Sequence, residues 1–235
     1  MIKLIGTPLA VFSVMLMFIP YNIPFYPITQ DGVIPYVDVD GLFVSHLPEA
    51  RGAACKVELP GGGHGSGVGF RRVGNVTHIL TAKHVVELAG KGADLYIRFT
   101  QQTAEIRETV KVGSISKKYD LAVLFAVDSY LKVIPLDVNF NYKLSADTEV
   151  MSFGFPLDIF PIIVSVGVIT SATDDYIEHD ATIFFGNSGG ALINVKTGKI
   201  IGINVMIRGR YGEARGDEAI AVCIYRIIDF INTGA

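Results

Sequence analysis

The 235 residues are 50% hydrophobic and 18% charged, too apolar for a disordered chain and long enough for one or two ordinary domains. A formal net charge of -3 offers no basic footprint for nucleic acid, so that partner class is set aside. Cys55 and Cys223, the only thiols, provide neither a disulfide scaffold nor a CxxC metal site. They are expected to be buried as small hydrophobes, and no metal or other cofactor is expected.

At the start of the chain, no charge appears between Lys3 and Asp31, and Leu9 to Ile19 contains only Ser13 as a polar residue. This run is shorter than the ~20 residues that span hydrocarbon. A basic start followed by an apolar stretch resembles a signal peptide or signal anchor, although no small-x-small cleavage site follows. Pro20, Pro24 and Pro27 then break any helix. Two readings stay open. Residues 4–28 associate with a membrane, making the protein exported or membrane-associated, or they form an apolar arm on a protein of cytoplasmic or viral origin. Residues 29–49 read as a linker.

From Ala53 onward, short β-branched apolar runs alternate with Gly, Asn and Asp signals. "VGFRRV", "THILTA", "LYIRFT", "DLAVLFAV", "EVMSFGF", "IIVSVGVIT", "ALINV", "KIIGINVMI" and "AIAVCIY" have the length and composition of strands, predicting an all-β sandwich or barrel. Helical pattern is confined to "VVELAG" after His84 and to Tyr225 to Asn232, where Ile227, Ile228 and Ile231 share a face. The polar stretch Asp137 to Ala146 is the best boundary between two halves.

The stretch "HDATIFFGNSGGALIN" sets a glycine-rich knot around Ser188 between two apolar runs. A serine hydroxyl is a poor nucleophile at neutral pH, so it needs a base and a group to hold that base. Of five histidines, His84 has the most telling context. It lies in "ILTAKHVV", where a buried strand passes into a small-residue turn and can project a side chain into a cleft. Asp120 heads the apolar run "DLAVLFAV", where a buried carboxylate could orient an imidazole. The glycines around Ser188 allow successive N–H groups to form one concavity, as an oxyanion hole requires.

In the order His84, Asp120, Ser188, the chain resembles the chymotrypsin-like (trypsin-like) serine peptidases from about Gly65 to Ile228. "GSGVGF" is similar to the strand entering the first barrel, "LTAKHVV" to the histidine motif, "DLAVL" to the aspartate motif, and "GNSGGALIN" with "GKIIGIN" to the nucleophile and substrate-binding segments. Among subgroups it is most similar to HtrA/Deg-type peptidases and short viral or phage forms, whose "DAAINPGNSGG" is approximated by "DATIFFGNSGG" at 180–190.

The resemblance implies two six-stranded antiparallel Greek-key β-barrels near residues 50–136 and 145–226, a short C-terminal helix, and a peptidase domain over 50–232. It implies peptide hydrolysis through an acyl-enzyme, with Ser188 as nucleophile, His84 as general base and acid, and Asp120 as orienter. The N–H groups of Gly186 and Ser188 would bind the oxyanion. Thr182 would lie at the floor of the primary specificity pocket, and the strand at Ile203, Asn204 and Val205 would pair with a polypeptide substrate. With no carboxylate at Thr182, a small or medium apolar residue before the cut is expected.

Asn187 stands where digestive-type relatives carry the Asp that pairs with a freshly cleaved N-terminus, which argues against activation by that route. The end at Ala235 leads to the expectation of no C-terminal PDZ domain. A catalytically idle peptide-binding protein on the same scaffold and a viral processing peptidase are the alternatives. Other signals carry little. "GGGHGSG" fits no phosphate loop, "DVDGLF" lacks the glycine position and distal Glu of a calcium loop, the Arg-Gly-Asp at 215–217 sits in a polar loop, and the Asn75 sequon matters only on secretion.

Overall fold

A computed structural model describes residues 47–101, 104–138, 144–158, 162–208, 215–216 and 218–234. The apolar segment 1–28, and the expected linker up to residue 46, lie outside the described residues.

The helix α1 (Leu47–Ala53) buries Ala50 and Ala53 and leads into β1 (Ala54–Glu58). Then come β2 (His64–Val73), β3 (Val76–Thr81), the single turn α2 (Lys83–Val86), β4 (Asp94–Gln101), β5 (Ala104–Ile115) and β6 (Ala122–Val127). These six strands close a barrel in the order β1-β2-β3-β6-β5-β4, antiparallel throughout. In β4, Leu95, Ile97 and Phe99 are buried and alternate with more exposed residues, the period-two pattern of a strand with one face on a core.

The second half contains β7 (Glu149–Gly154), a 3-10 turn at Pro156–Asp158, β8 (Ile163–Ala172), β9 (Tyr176–His179), β10 (Ile183–Phe184), β11 (Ala191–Asn194), β12 (Ile200–Arg208), β13 (Arg215–Gly216), β14 (Glu218–Cys223) and α3 (Ile224–Thr233). Six of its strands close a second barrel in the order β11-β12-β14-β9-β8-β7, while β10 and β13 pair as a separate ribbon. Bulges in the β2/β3, β5/β6, β8/β9, β11/β12 and β12/β14 pairings supply the bends that closure requires.

The two closed antiparallel barrels and the short terminal helix agree with the architecture that the resemblance implied. The helical stretch after His84 is shorter than its pattern suggested and starts one residue before it. The C-terminal helix buries Ile224, Ile227 and Phe230 and ends at Gly234 in the left-handed conformation (φ 68°), whose N–H donates to the Phe230 carbonyl. Phe99 and Phe153 are among the largest fully buried side chains, and truncating either to Ala removes about 3–5 kcal/mol of packing. Between the barrels, Leu136 makes a parallel bridge to Ile200, and the Asp137 N–H donates to the Ile200 carbonyl at 2.9 Å.

Cys55 and Cys223 are free and buried, and burial pushes both thiols above the ordinary value. Among the described residues no helix is long and apolar enough to cross a membrane, and no group of three His, Cys, Asp or Glu could hold a metal ion.

Candidate active site

The junction of β3 and α2 presents His84. Thr81 and Ala82 are buried, Ala82 is extended (φ -76°, ψ 143°), and the helical turn begins at Lys83. Val85 and Val86 turn into the core, which leaves His84 pointing outward with its side chain 43% exposed. Asp120 precedes β6 at the end of a loop that Ser116 ties down, its Oγ accepting from the N–H groups of Lys118 and Tyr119. From there Asp120 holds His84 twice. Its Oδ1 accepts the His84 backbone N–H at 2.9 Å, and its Oδ2 meets the ring Nδ1 at 2.7 Å.

A carboxylate only accepts hydrogen bonds, so Nδ1 carries the proton and Nε2 is left as a base. The bond to Asp120 raises the His84 pKa above the ordinary imidazole value, against partial burial. Burial pushes the Asp120 carboxyl upward, but the bonds from the His84 ring and from the backbone N–H groups outweigh it and hold the group below its ordinary value. The pair therefore consists of an ionised carboxylate and an imidazole made more basic by it.

The loop around Ser188 is pinned one peptide plane at a time. The Phe185 carbonyl accepts from the Leu157 N–H at 2.8 Å, the Gly186 carbonyl from the Ser66 hydroxyl at 2.7 Å, the Asn187 carbonyl from the Gly190 N–H at 2.9 Å, and the Ser188 carbonyl from the Ser66 N–H at 2.8 Å. The N–H groups of Asn187 and Gly189 donate to the carbonyls of Phe184 and Asn204. Among the described residues the N–H groups of Gly186 and Ser188 donate to no backbone acceptor. In a trans peptide the N–H points opposite the C=O. Anchoring the carbonyls of Phe185 and Asn187 therefore turns each of these N–H groups away from its own carbonyl's anchor, and they are the pair that the sequence put forward as oxyanion donors.

Ser66, at the start of β2, was missed by sequence reasoning. Its buried Oγ also accepts the Phe155 N–H at 2.9 Å, and its carbonyl accepts the Thr81 hydroxyl at 2.7 Å. One serine thus ties the nucleophile loop to both barrels. The available signal was a lone hydroxyl between two glycines at the head of an apolar strand.

The same contacts bring Ser188 beside the histidine turn. A Cβ placed on Gly65 would lie 2.6 Å from Val85 and 3.0 Å from the Ser188 carbonyl oxygen. Gly189, at φ 88°, would put a Cβ 2.1 Å from the Ser66 carbonyl oxygen and 2.9 Å from the Ala82 nitrogen. Only glycine fits there, by conformation and by space. Gly189→Ala is expected to destabilise the protein by about 2 kcal/mol or more, read as a drop in Tm; an unchanged Tm contradicts this packing.

Of the three residues singled out, the structure hydrogen-bonds His84 to Asp120 and brings the backbone at Ser188 and Gly189 up to the turn that carries His84. Among the described residues the Ser188 side chain makes no hydrogen bond. Catalytic contacts in substrate-free sites are commonly long and tighten when substrate binds. Thr182 is half-buried between β9 and β10. Ile203 and Asn204 are fully buried, and the Asn204 backbone is occupied by the nucleophile loop, its N–H donating to Gly190 at 2.9 Å and its carbonyl accepting from Gly189 at 2.7 Å. Val205 falls at the β12/β14 bulge without an opposite residue. Asn187 is buried beneath Gly154, its Oδ1 without a partner among the described residues.

A family model for the trypsin-like peptidase domain matches residues 65–203, a span that contains His84, Asp120 and Ser188. The chain belongs to the trypsin-like peptidase family. This trypsin-like domain is 36% identical over 160 residues to the serine protease Do-like HtrA of Bacillus subtilis, covering 61% of this chain and 33% of that protein. It is 30% identical over 169 residues to the serine endoprotease DegS of Escherichia coli, covering 68% of this chain and 44% of DegS. The chain therefore spans a third to under half the length of these curated relatives. The solved serine endoprotease from Yersinia pestis superposes with a TM-score of 0.66 at 26% identity, over 80% of this chain and 65% of that one.

Proposed function

We propose that the protein is a serine-type endopeptidase acting on polypeptides. Ser188 Oγ attacks the carbonyl carbon as His84 Nε2 takes its proton, and Asp120 stabilises the resulting imidazolium. His84 returns the proton to the leaving amine, and water then hydrolyses the acyl-enzyme. The observation that carries this reading is the pair of Gly186 and Ser188 N–H groups, left without backbone acceptors beside a His84–Asp120 pair.

The half-buried, uncharged Thr182 and the exposed apolar Phe185 and Met206 near the site support a small or medium apolar residue before the cut. Val205, free of a cross-strand partner at the bulge, is the residue of the 203–205 segment best placed to pair with substrate backbone. The uncharged run in residues 4–28 supports association with a membrane or export.

A peptide library tests both chemistry and preference. Cleavage after apolar residues is expected, and strong cleavage after Arg contradicts the pocket. Peptide binding without any hydrolysis would instead favour the idle scaffold. The acid limb of kcat/KM provides a second check. A protonated His84 accepts no proton, and its bond to Asp120 raises its pKa, so activity is expected to fall as pH drops through a midpoint above the ordinary imidazole value. A midpoint below the ordinary imidazole value contradicts the assignment of His84 as base.

A further inference from the structure

Resting on the peptidase reading above, we infer that His179 is a positioning residue, holding the Asn204 segment of β12 against the nucleophile loop by a buried chain of hydrogen bonds.

His179 sits on β9, fully buried, with Nε2 3.0 Å from the Asn204 Oδ1. The Asn204 Nδ2 donates to the Ser152 Oγ on β7 at 2.8 Å, which fixes the amide with its oxygen toward His179. Nε2 is therefore the protonated nitrogen and donates. Nδ1 makes no well-aligned hydrogen bond among the described residues, and the Ala181 backbone lies against the ring. Burial pushes the imidazole below its ordinary value, against the Asn204 bond and the neighbouring Asp180 carboxylate, and this keeps it neutral at neutral pH.

Apolar side chains are the ordinary filling of a barrel interior, and three polar ones there are costly unless each finds a partner. What this network fixes is the residue whose N–H and C=O hold Gly190 and Gly189, the two residues after Ser188. None of the three side chains is aimed at the reacting carbonyl. Their effect is to be sought in how well Ser188 and its oxyanion donors are placed, rather than in how tightly substrate is held.

The experiment compares inactivation of the full chain by a fluorophosphonate in wild type, His179→Leu, His179→Gln and Ser152→Ala, with Tm measured for each. Leu removes the donor to Asn204, Gln retains one, and Ala frees the far end of the amide. The maximal inactivation rate is expected to fall about tenfold or more in His179→Leu and several-fold in Ser152→Ala, with the half-saturating concentration unchanged. His179→Gln should restore the rate to within about threefold. A folded His179→Leu or Ser152→Ala reacting like wild type overturns the inference, as does a folded His179→Gln that is as slow as His179→Leu. If His179→Leu does not fold, Ser152→Ala and His179→Gln decide. Absence of inactivation in the wild type overturns the peptidase reading itself, a result separable from a wild type that reacts and variants that match it.

Discussion

Asp120→Asn is expected to lower kcat by about 10⁴-fold, the scale known for removing a triad orienter, while Tm changes little. The carboxylate accepts from both the His84 backbone N–H and its Nδ1. An asparagine in the same place can keep its oxygen on the backbone N–H, which turns its NH₂ toward Nδ1. The imidazole then has to accept at Nδ1 and carry its hydrogen on Nε2, so it arrives at the serine with the wrong nitrogen protonated. The loss should appear in kcat more than in KM, because Asp120 does not touch substrate. The pH midpoint of any residual activity should move down, since the hydrogen bond that raises the His84 pKa is gone. A variant within tenfold of wild type would show that Asp120 is not the orienter.

Ser66→Ala is expected to lower kcat by about 10- to 100-fold and to cost about 1–3 kcal/mol of stability, because the part-buried Gly186 carbonyl and the buried Phe155 N–H both lose the Ser66 hydroxyl. The Gly186 peptide would then keep only its own N–H anchor at Asn187, and the adjoining oxyanion donor would be less fixed. Steady-state kinetics with KM and kcat separated, together with thermal melts, provide the check. Full kcat with lowered Tm would make Ser66 a structural clamp alone.

His84, Asp120 and Ser188 were legible as candidates because each sits at the edge of an apolar run as a residue that the run does not need. The glycines of the 186–190 knot were legible because left-handed backbone and close approach leave few other choices. Ser66 and His179 were not, since a polar side chain acquires its meaning from partners far away in sequence. Ser66 bonds Gly186 across 120 positions, and His179 meets Asn204 across 25.

Most barrel strands were visible in the β-branched runs, but β5 was not. Its outward residues Glu105, Arg107 and Lys111 alternate with partly or fully buried Ile106, Glu108, Val110 and Val112, and three of its charges pair across the barrel surface, Arg107 with Glu58, Glu105 with Arg98 and Lys111 with Asp94. Such a strand reads as a polar loop until its neighbours are known. The short β1 was hidden for the same reason, with Lys56 buried at 5% exposure and reaching Glu58. The placement of Asn204 was also beyond the sequence, because the bulge that separates its role from that of Val205 is a property of the β12/β14 register.

Whether Ser188 is a nucleophile activated by His84 is read from the intact mass of the full chain after fluorophosphonate treatment, with the modified peptide located by digestion. A single adduct on Ser188 is expected, absent from Ser188→Ala and greatly slowed in His84→Ala. An adduct on another residue, or undiminished labelling of Ser188→Ala, would contradict it.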